Sequence, residues 1–212
     1  MGYIYAVLGS GRQGTAAAYD MAKFGDAEKV IIADKNLDQA RKSDERVSNL
    51  LNIDIIESKQ VDVRDQSSLI ELLTGVDAFL SSVPYYFNLD ISKAAIQAGA
   101  SMCDLGGNTD IVKKQLDLNL QAKKVGISIV PDCGECPGMA TTLSLYAMSL
   151  LDNPQEVYIW DGGLPINPRQ PFNYLLTFNI EGLTNEYAEP TYFLRDGNLV
   201  KIKPFEELEE IH

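Results

Sequence analysis

The sequence predicts an α/β protein in which a doubly wound parallel sheet is followed by part of an α+β domain. Short apolar runs, rich in β-branched residues, alternate with longer segments of helical periodicity through about the first 130 residues. This alternation is typical of βαβ units and of a parallel sheet. A glycine-rich turn also joins the first apolar run to the first helical segment, a further mark of such a unit.

Each predicted strand is a short apolar run that stops at polar or turn-forming residues. In chain order, the strands lie in the segments Tyr3–Leu8, Lys29–Ala33, Ile53–Val63, Asp77–Ser81, Ser101–Asp104 and Ile127–Val130. The segments between them place apolar residues at helical spacing, with alanines on the packing face of the first. The predicted helices are Thr15–Phe24, Leu37–Leu51, Ser67–Leu73, Leu89–Ala98 and Asp110–Lys124.

The regular alternation of strand-like and helical segments stops after Pro131, and a second domain is predicted to begin near there. Cys133–Gly138 is a loop of small and turn-forming residues, and Met139–Leu151 is an apolar helix. We expect a first domain over residues 1–134 and an incomplete α+β domain over residues 135–212. The strand-like segments of the latter, separated by glycines and prolines, are Glu156–Trp160, Tyr174–Asn179, Thr191–Leu194 and Leu199–Lys203.

The composition restricts the partners and the chemistry. A formal net charge of −12 without a cluster of lysines and arginines would repel a phosphate backbone, so nucleic acid is not expected as a partner. The apolar runs are too short to span a membrane, and a soluble cytoplasmic protein is expected. Because His212 is the single histidine, proton transfer within these residues would fall to Asp, Glu, Lys, Tyr or Cys.

The three cysteines are expected to be reduced thiols, since they are too few and too unevenly placed for a disulfide framework. Cys133 and Cys136 form a C-x-x-C pair. A structural zinc site needs four ligands, and neither a second pair nor a nearby histidine accompanies this one. No metal is therefore expected.

The glycine-rich turn has the spacing of a dinucleotide site. Gly9, Gly11 and Gly14 fit G-x-G-x-x-G: the first allows the tight turn, the second the approach of a pyrophosphate, and the third close contact between helix and strand. Asp34 ends the second predicted strand 20 residues after Gly14, where a carboxylate meets the ribose hydroxyls. Together these predict a Rossmann domain that binds NAD. The intervening residues Ser10, Arg12 and Gln13 and the neighbouring Lys35 are further candidate contacts.

NADP stays open as the cofactor, because a cation beside Asp34 can accommodate the additional phosphate. Lys35 and Arg12 are the candidates for this.

Other candidate cofactor contacts lie where later strands end, because ligands of such sheets gather outside the carboxyl ends of the strands. Asp62 and Val63 are expected near the adenine. The residues expected near the nicotinamide half are Ser81, Ser82, Val83, Pro84, Leu105 and Gly106. The alternative for each is an ordinary transition from strand to loop.

Four motifs in this order resemble the saccharopine dehydrogenase family, which includes saccharopine reductases, carboxynorspermidine dehydrogenases and lysine 6-dehydrogenases. They are Gly9–Gly14, Ser81–Tyr86, Cys103–Gly107 and Asp132–Gly138. A later group of segments is most similar to the lysine 6-dehydrogenase branch, namely Gly162–Pro165, Asn173–Tyr174, Glu181–Leu183 and Asn185–Tyr187.

This resemblance implies NAD-dependent oxidation of the ε-amine of L-lysine by a homodimeric cytoplasmic enzyme. It also implies that a substrate-binding and dimerisation domain interrupts the Rossmann domain. Members of the family continue well beyond the position of His212, so the second domain is expected to be truncated here. Two alternatives stay open: saccharopine or carboxynorspermidine as the substrate, and a module that senses NAD without turnover.

Amine oxidation by hydride transfer requires a group that removes or holds the amine proton. Asp132 and Tyr85, each following a predicted strand at the nicotinamide end, are the candidates for contact with an amino-acid substrate. The alternative is that Asp132 caps a turn and Tyr85 is a packing residue.

Overall fold

The computed structural model describes residues 2–176, 180–188, 190–207 and residue 210. The chain divides into two compact units, Met1–Ile159 and Trp160–His212. The domain boundary predicted between residues 134 and 135 lies inside the first unit and stays a prediction. None of the helices within the described ranges is long and apolar enough to cross a membrane.

The first unit contains a six-stranded parallel sheet, as predicted. Its strands are β1 (Tyr3–Leu8), β2 (Ala27–Asp34), β3 (Ile56–Gln60), β4 (Ala78–Ser81), β5 (Ser101–Asp104) and β6 (Ile129–Val130). Their order across the sheet is β3-β2-β1-β4-β5-β6, with every neighbouring pair parallel. The chain therefore reverses its direction of winding between β1 and β4, and this switch point is where such sheets bind ligands.

Helices connect the strands. They are α1 (Arg12–Phe24), α2 (Leu37–Leu51), α3 (Gln66–Leu73), α4 (Asn88–Ala98), α5 (Thr109–Leu116), α6 (Asn119–Val125) and α7 (Met139–Ser149), with a 3-10 turn at Tyr85–Phe87. In the second unit, α8 (Ile180–Ala188) precedes an antiparallel hairpin of β7 (Thr191–Arg195) and β8 (Asn198–Ile202).

Both faces of the parallel sheet are buried, because successive side chains of a strand point to opposite faces and helices cover each. Ala6 and Leu8 belong to one apolar cluster, which includes residues of α3 and α4. Val7 belongs to a second cluster, with residues of α1 and α2. The sheet is thereby a rigid base for the loops at its carboxyl edge.

Two local predictions in the first half differ from the structure. The helix predicted over Asp110–Lys124 is two helices, because the Leu118 N–H bonds to the Gln115 carbonyl three residues back and interrupts the α-helical pattern. β3 ends at Gln60, so Asp62 and Val63 lie in the following loop.

In the second half, Glu156–Trp160 forms no strand. A strand is stabilised by pairing with a neighbour, which alternation along one segment cannot supply. A strand is also expected at Tyr174–Asn179. Tyr174–Leu176 forms no strand, and residues 177–179 lie outside the described ranges. The strands at Thr191–Leu194 and Leu199–Lys203 are confirmed to within a residue as β7 and β8.

Candidate dinucleotide site

The turn between β1 and α1 needs glycine at two positions for reasons internal to the protein. Gly9 has φ of 93°, and a Cβ there would lie 2.7 Å from the Ser82 carbonyl oxygen. A Cβ on Gly14 would lie 1.9 Å from the Gly9 carbonyl oxygen. The first and third glycines therefore allow the tight turn and the close contact between strand and helix that the motif predicts.

Gly11 is different, because a Cβ at this position would meet nothing within 4 Å. It is the N-cap of α1, and no side chain caps that end. The first N–H groups of a helix lack intrahelical partners and favour an anion. Open space and available donors are what a pyrophosphate would use. Arg12 and Gln13 are exposed in the same first turn.

Asp34 ties the end of β2 to this turn. Its Oδ2 accepts hydrogen bonds from the N–H and the hydroxyl of the fully buried Ser10, both at 2.9 Å. Its Oδ1 accepts the N–H of Asn36 at 2.9 Å. Since a carboxylate offers about four acceptor positions, room remains for about one further donor such as a ribose hydroxyl.

Two residues that the sequence analysis did not select support the same turn. The Asn36 side chain accepts hydrogen bonds from the N–H groups of Asp38 and Gln39 and so caps α2. Gln39 Nε2 reaches the Ser10 carbonyl at 3.4 Å. An asparagine immediately before a helical pattern is a known N-cap signal, and it would have identified Asn36.

At the expected adenine end, Asp62 is engaged by Arg64, a residue that the sequence analysis missed. The Arg64 guanidinium donates to both carboxylate oxygens of Asp62, at 2.5 to 3.1 Å, and the Arg64 N–H adds a bond at 3.0 Å. These bonds, with the charge of Lys35, lower the pKa of Asp62 to about 2. Val63 packs against the core instead. Lys35 is exposed, and its carbonyl accepts from Gln60.

At the switch point, the end of β4 meets the glycine turn. The Ser82 N–H donates to the Leu8 carbonyl at 2.8 Å. Ser81 is fully buried, and its hydroxyl donates to Asn88 Oδ1 at 2.8 Å. The Ser81 side chain therefore anchors α4. Val83 packs against the core, and Pro84 leads into the 3-10 turn.

The predicted catalytic residues come together around two glycines that follow β5. A Cβ on Gly106 would lie 1.8 Å from Asp132 Oδ1, and a Cβ on Gly107 would lie 3.1 Å from Tyr85 Cδ1. The Asp132 carboxyl also accepts a hydrogen bond from the Gly107 N–H. Leu105 lies in the same loop, with its carbonyl oxygen 2.8 Å from where a Cβ of Gly134 would be.

Burial raises the pKa of Asp132, and the nearby Asp104 carboxyl raises it further. Asp132 also has a left-handed backbone, with φ of 59°. A partly buried carboxyl of raised pKa in a loop at the ligand-binding edge is a candidate for proton transfer.

The neighbouring thiols do not have the properties of nucleophiles. Burial, with Cys103 as the next cause, raises the pKa of the Cys133 thiol to about 11. Burial also raises the pKa of Cys103. Both thiols are protonated at neutral pH, and the thiolate is the nucleophilic form. Cys103, Cys133 and Cys136 are free cysteines.

The strand order, the three glycines and the acidic residue ending β2 define a dinucleotide-binding domain of the Rossmann class. Residues 5–130 match the family model described as the saccharopine dehydrogenase NADP binding domain, and the chain belongs to that family. The predicted family and a nicotinamide cofactor are thereby confirmed, with the choice between NAD and NADP left open.

The chain is similar to larger proteins of the same group. A saccharopine dehydrogenase (NADP(+), L-glutamate-forming) from Schizosaccharomyces pombe is 24% identical over 151 residues, which are 67% of this chain and 32% of that protein. An α-aminoadipic semialdehyde synthase from Arabidopsis thaliana is 23% identical over 182 residues, 82% of this chain and 16% of that protein. The chain thus spans less than two fifths of the length of these relatives.

Among solved structures, the chain is similar to the apo saccharopine dehydrogenase (L-Glu forming) from Saccharomyces cerevisiae. The TM-score is 0.63 at 19% identity, and the match covers 95% of this chain and 44% of that one. The likeness confirms the predicted fold class. These comparisons do not show the lysine 6-dehydrogenase branch.

Proposed function

We propose that this chain is the cofactor-binding part of an oxidoreductase that transfers a hydride between NAD or NADP and the carbon of a CH–NH group in an amino-acid substrate of the saccharopine type. The observation that carries the proposal is the turn at Gly9–Gly14. Its open helix end faces the switch point of the sheet, within a chain of the saccharopine dehydrogenase family.

For the cofactor, we assign the pyrophosphate to the Gly11 turn and the adenosine ribose to Asp34, with Lys35 and Arg12 beside it. The adenine would lie toward Asp62 and the nicotinamide half toward Ser82–Pro84 and Gly106. The support is that these residues lie at, or shortly after, the carboxyl ends of neighbouring parallel strands.

For the chemistry, oxidation removes a hydride from the carbon and a proton from the nitrogen, and water then hydrolyses the C=N bond to a carbonyl and an amine. The cofactor, when bound, accepts the hydride. In this proposal the Asp132 carboxylate accepts the proton from the nitrogen, and the neighbouring Tyr85 positions the substrate. The support is that Gly106 and Gly107 bring these two side chains into one place.

The direct test is to add saccharopine, L-lysine or a carboxyalkyl polyamine, with NAD or NADP, to the full-length protein. The absorbance of the reduced nicotinamide then measures turnover. Turnover of saccharopine supports the proposal. Turnover of L-lysine alone would instead place the protein in the lysine 6-dehydrogenase branch, which the segments from Gly162 to Tyr187 favour. Tight cofactor binding with no turnover of any of these substrates would favour the sensing module.

The pH dependence is a second test. Asp132 must be deprotonated to accept a proton, and its pKa lies above the ordinary value of 3.8. We expect kcat/KM for amine oxidation to fall on acidification through that raised pKa, and so at a higher pH than an ordinary aspartate would give. Asp132→Asn should lower the rate and remove this acidic limb. An acidic limb that persists in Asp132→Asn would contradict the assignment.

The homodimer, implied by the family resemblance, and the cytoplasmic location, expected both from the apolar runs and from that resemblance, stay predictions. Light scattering on the purified protein would measure the number of subunits. The domain boundary after residue 134 can be tested by limited proteolysis, which would cleave first in the Cys133–Gly138 loop if two domains meet there.

A further inference from the structure

A buried carboxyl group, Asp104, lies directly behind Asp132 and has no role in the proposed reaction. Its side chain is fully buried at the end of β5. Oδ1 accepts the N–H groups of Gly106 at 2.8 Å and of Asp132 at 3.2 Å. Oδ2 accepts Gln115 Nε2 at 2.7 Å. Donors from the loop after β5, the loop after β6 and helix α5 therefore converge on this one group.

Gln115 acts in this network through its hydrogen-bond donor. Its Nε2 bonds to Asp104 and, at 3.0 Å, to Ser92 Oγ, whose hydroxyl donates to the Asn88 carbonyl at 2.7 Å. Its Oε1, in contrast, is buried without a hydrogen-bond partner. A buried unpaired oxygen is unfavourable, and an apolar side chain of similar size would avoid it. What the amide contributes is therefore the N–H that it gives to Asp104.

Asp132 depends on the same group for its conformation. A left-handed backbone is unfavourable for a residue other than glycine and persists where its surroundings hold it. Here the Asp132 N–H is held by Asp104, and the Asp132 carboxyl lies against Gly106, whose N–H is held by the same oxygen. Without the Asp104 carboxyl, both N–H groups would lose their acceptor. The loops would keep the bond from the Cys133 N–H to the Asp104 carbonyl and that from the Gly107 N–H to the Asp132 carboxyl, but they would lose the two bonds that fix the backbone of Asp132 and Gly106.

We propose that Asp104 is a positioning residue, which holds the Asp132 carboxyl in place by accepting the backbone N–H groups of Asp132 and Gly106. The inference rests on the proposed function, in which Asp132 accepts the proton of the substrate nitrogen. Asp104 lies beneath the loops and acts through them. Its loss should therefore slow the chemical step while leaving dinucleotide binding at the Gly9–Gly14 turn unchanged.

The first test needs no turnover. The Asp104 carboxyl and the Cys133 thiol interact electrostatically with Asp132, and the Asp104 carboxyl contributes to raising the pKa of Asp132. Asp104→Asn keeps an oxygen for the two N–H groups and removes the charge, so the pKa of Asp132, measured by carbon NMR of its carboxyl, should fall toward the ordinary value. Ser92→Ala is the matched control: it removes a buried hydrogen bond of the same network but no charge, and the pKa should stay raised. Because Asp104 can hold the Asp132 loop only if it lies against Asp132, a pKa of Asp132 that is the same in Asp104→Asn and the wild type contradicts the arrangement on which the proposal depends and overturns it.

The second test is a double-mutant cycle on kcat. Asp104→Leu removes the acceptor, and we expect kcat to fall by about 10-fold to 100-fold, as for a misplaced reacting group, while the Kd of the dinucleotide, assigned mainly to the Gly9–Gly14 turn and Asp34, should change by much less. In the Asp132→Asn background, Asp104→Leu should cost nothing more. Asp104→Asn should recover most of the rate, because it restores the acceptor. Fully additive losses would overturn the proposal.

The two tests separate this inference from the proposed function. If the wild type turns over none of the substrates, the proposed function fails, while the NMR titration still decides whether Asp104 lies against Asp132 as the inference requires. If Asp104→Leu does not fold, the titration of Asp132 in Asp104→Asn decides by itself.

Discussion

Alanine at Gly14 is expected to destabilise the first unit severely, whereas alanine at Gly11 is expected to leave its stability unchanged and to weaken dinucleotide binding. At Gly14 the added Cβ would lie 1.9 Å from the Gly9 carbonyl oxygen and 3.1 Å from Val7 Cγ1. Helix α1 would have to move away from the sheet, at a cost of about 3 kcal/mol or more.

At Gly11 the added Cβ meets open space, and φ of −68° suits alanine. Its methyl group would intrude only on a bound pyrophosphate. We expect the Kd of NAD or NADP to rise about tenfold or more, equivalent to ~1.4 kcal/mol. The two variants therefore separate a glycine required by the fold from one required by the ligand.

Thermal unfolding and calorimetric titration with each dinucleotide measure these two effects. Gly162→Ala is the matched control, since its Cβ would also lie in open space but in the second unit, and neither stability nor binding should change. Equal destabilisation by Gly11→Ala and Gly14→Ala, or unaltered binding in Gly11→Ala, would count against the pyrophosphate assignment.

The second large effect is expected at Asp34, whose replacement by alanine should weaken NAD more than NADP. The carboxylate offers an acceptor to the ribose hydroxyls of NAD and repels the additional phosphate of NADP. A hydrogen bond to a charged group contributes about 1.5–3 kcal/mol, so NAD affinity should fall by ~10-fold to 100-fold. NADP should lose less, because the repulsion disappears as well.

Asp34→Ala also releases the Ser10 N–H and hydroxyl, which would loosen the turn for both cofactors. Ser10→Ala isolates this contribution: it removes one of the two bonds and keeps the carboxylate, so it should weaken NAD and NADP by the same factor. The ratio of the two Kd values is the decisive measurement. If that ratio is the same in Asp34→Ala and the wild type, Asp34 is not the ribose ligand.

The cofactor turn could be predicted from sequence because its determinants are local. Gly9, Gly11 and Gly14 lie within one strand-turn-helix unit, and Asp34 ends the next strand of a regular βαβ pattern. The structure gives an internal reason for Gly9 and Gly14, and at Gly11 it shows open space instead. Asp62 was selected by the same logic of strand ends, but its partner Arg64 was missed because an ion pair two residues apart has no distinguishing pattern.

The nicotinamide half was harder to predict, because side-chain direction depends on distant packing. Ser81 was a candidate contact from its place at the end of a strand, yet its hydroxyl is turned inward to Asn88. Likewise, the segment Glu156–Trp160 has the alternation of a strand but forms none, since a strand needs a partner that its own residues cannot specify.

The sequence by itself determined that a parallel α/β sheet carries a glycine turn suited to a dinucleotide, because periodicity and glycine spacing act over a few residues. Only the tertiary structure decided what surrounds Asp132. Asp104 lies 28 residues before Asp132 and 11 before Gln115, and these groups meet only once β5 and β6 pair and α5 packs beside α4. A hydrogen bond between such distant residues depends on the completed fold, and no local pattern encodes it.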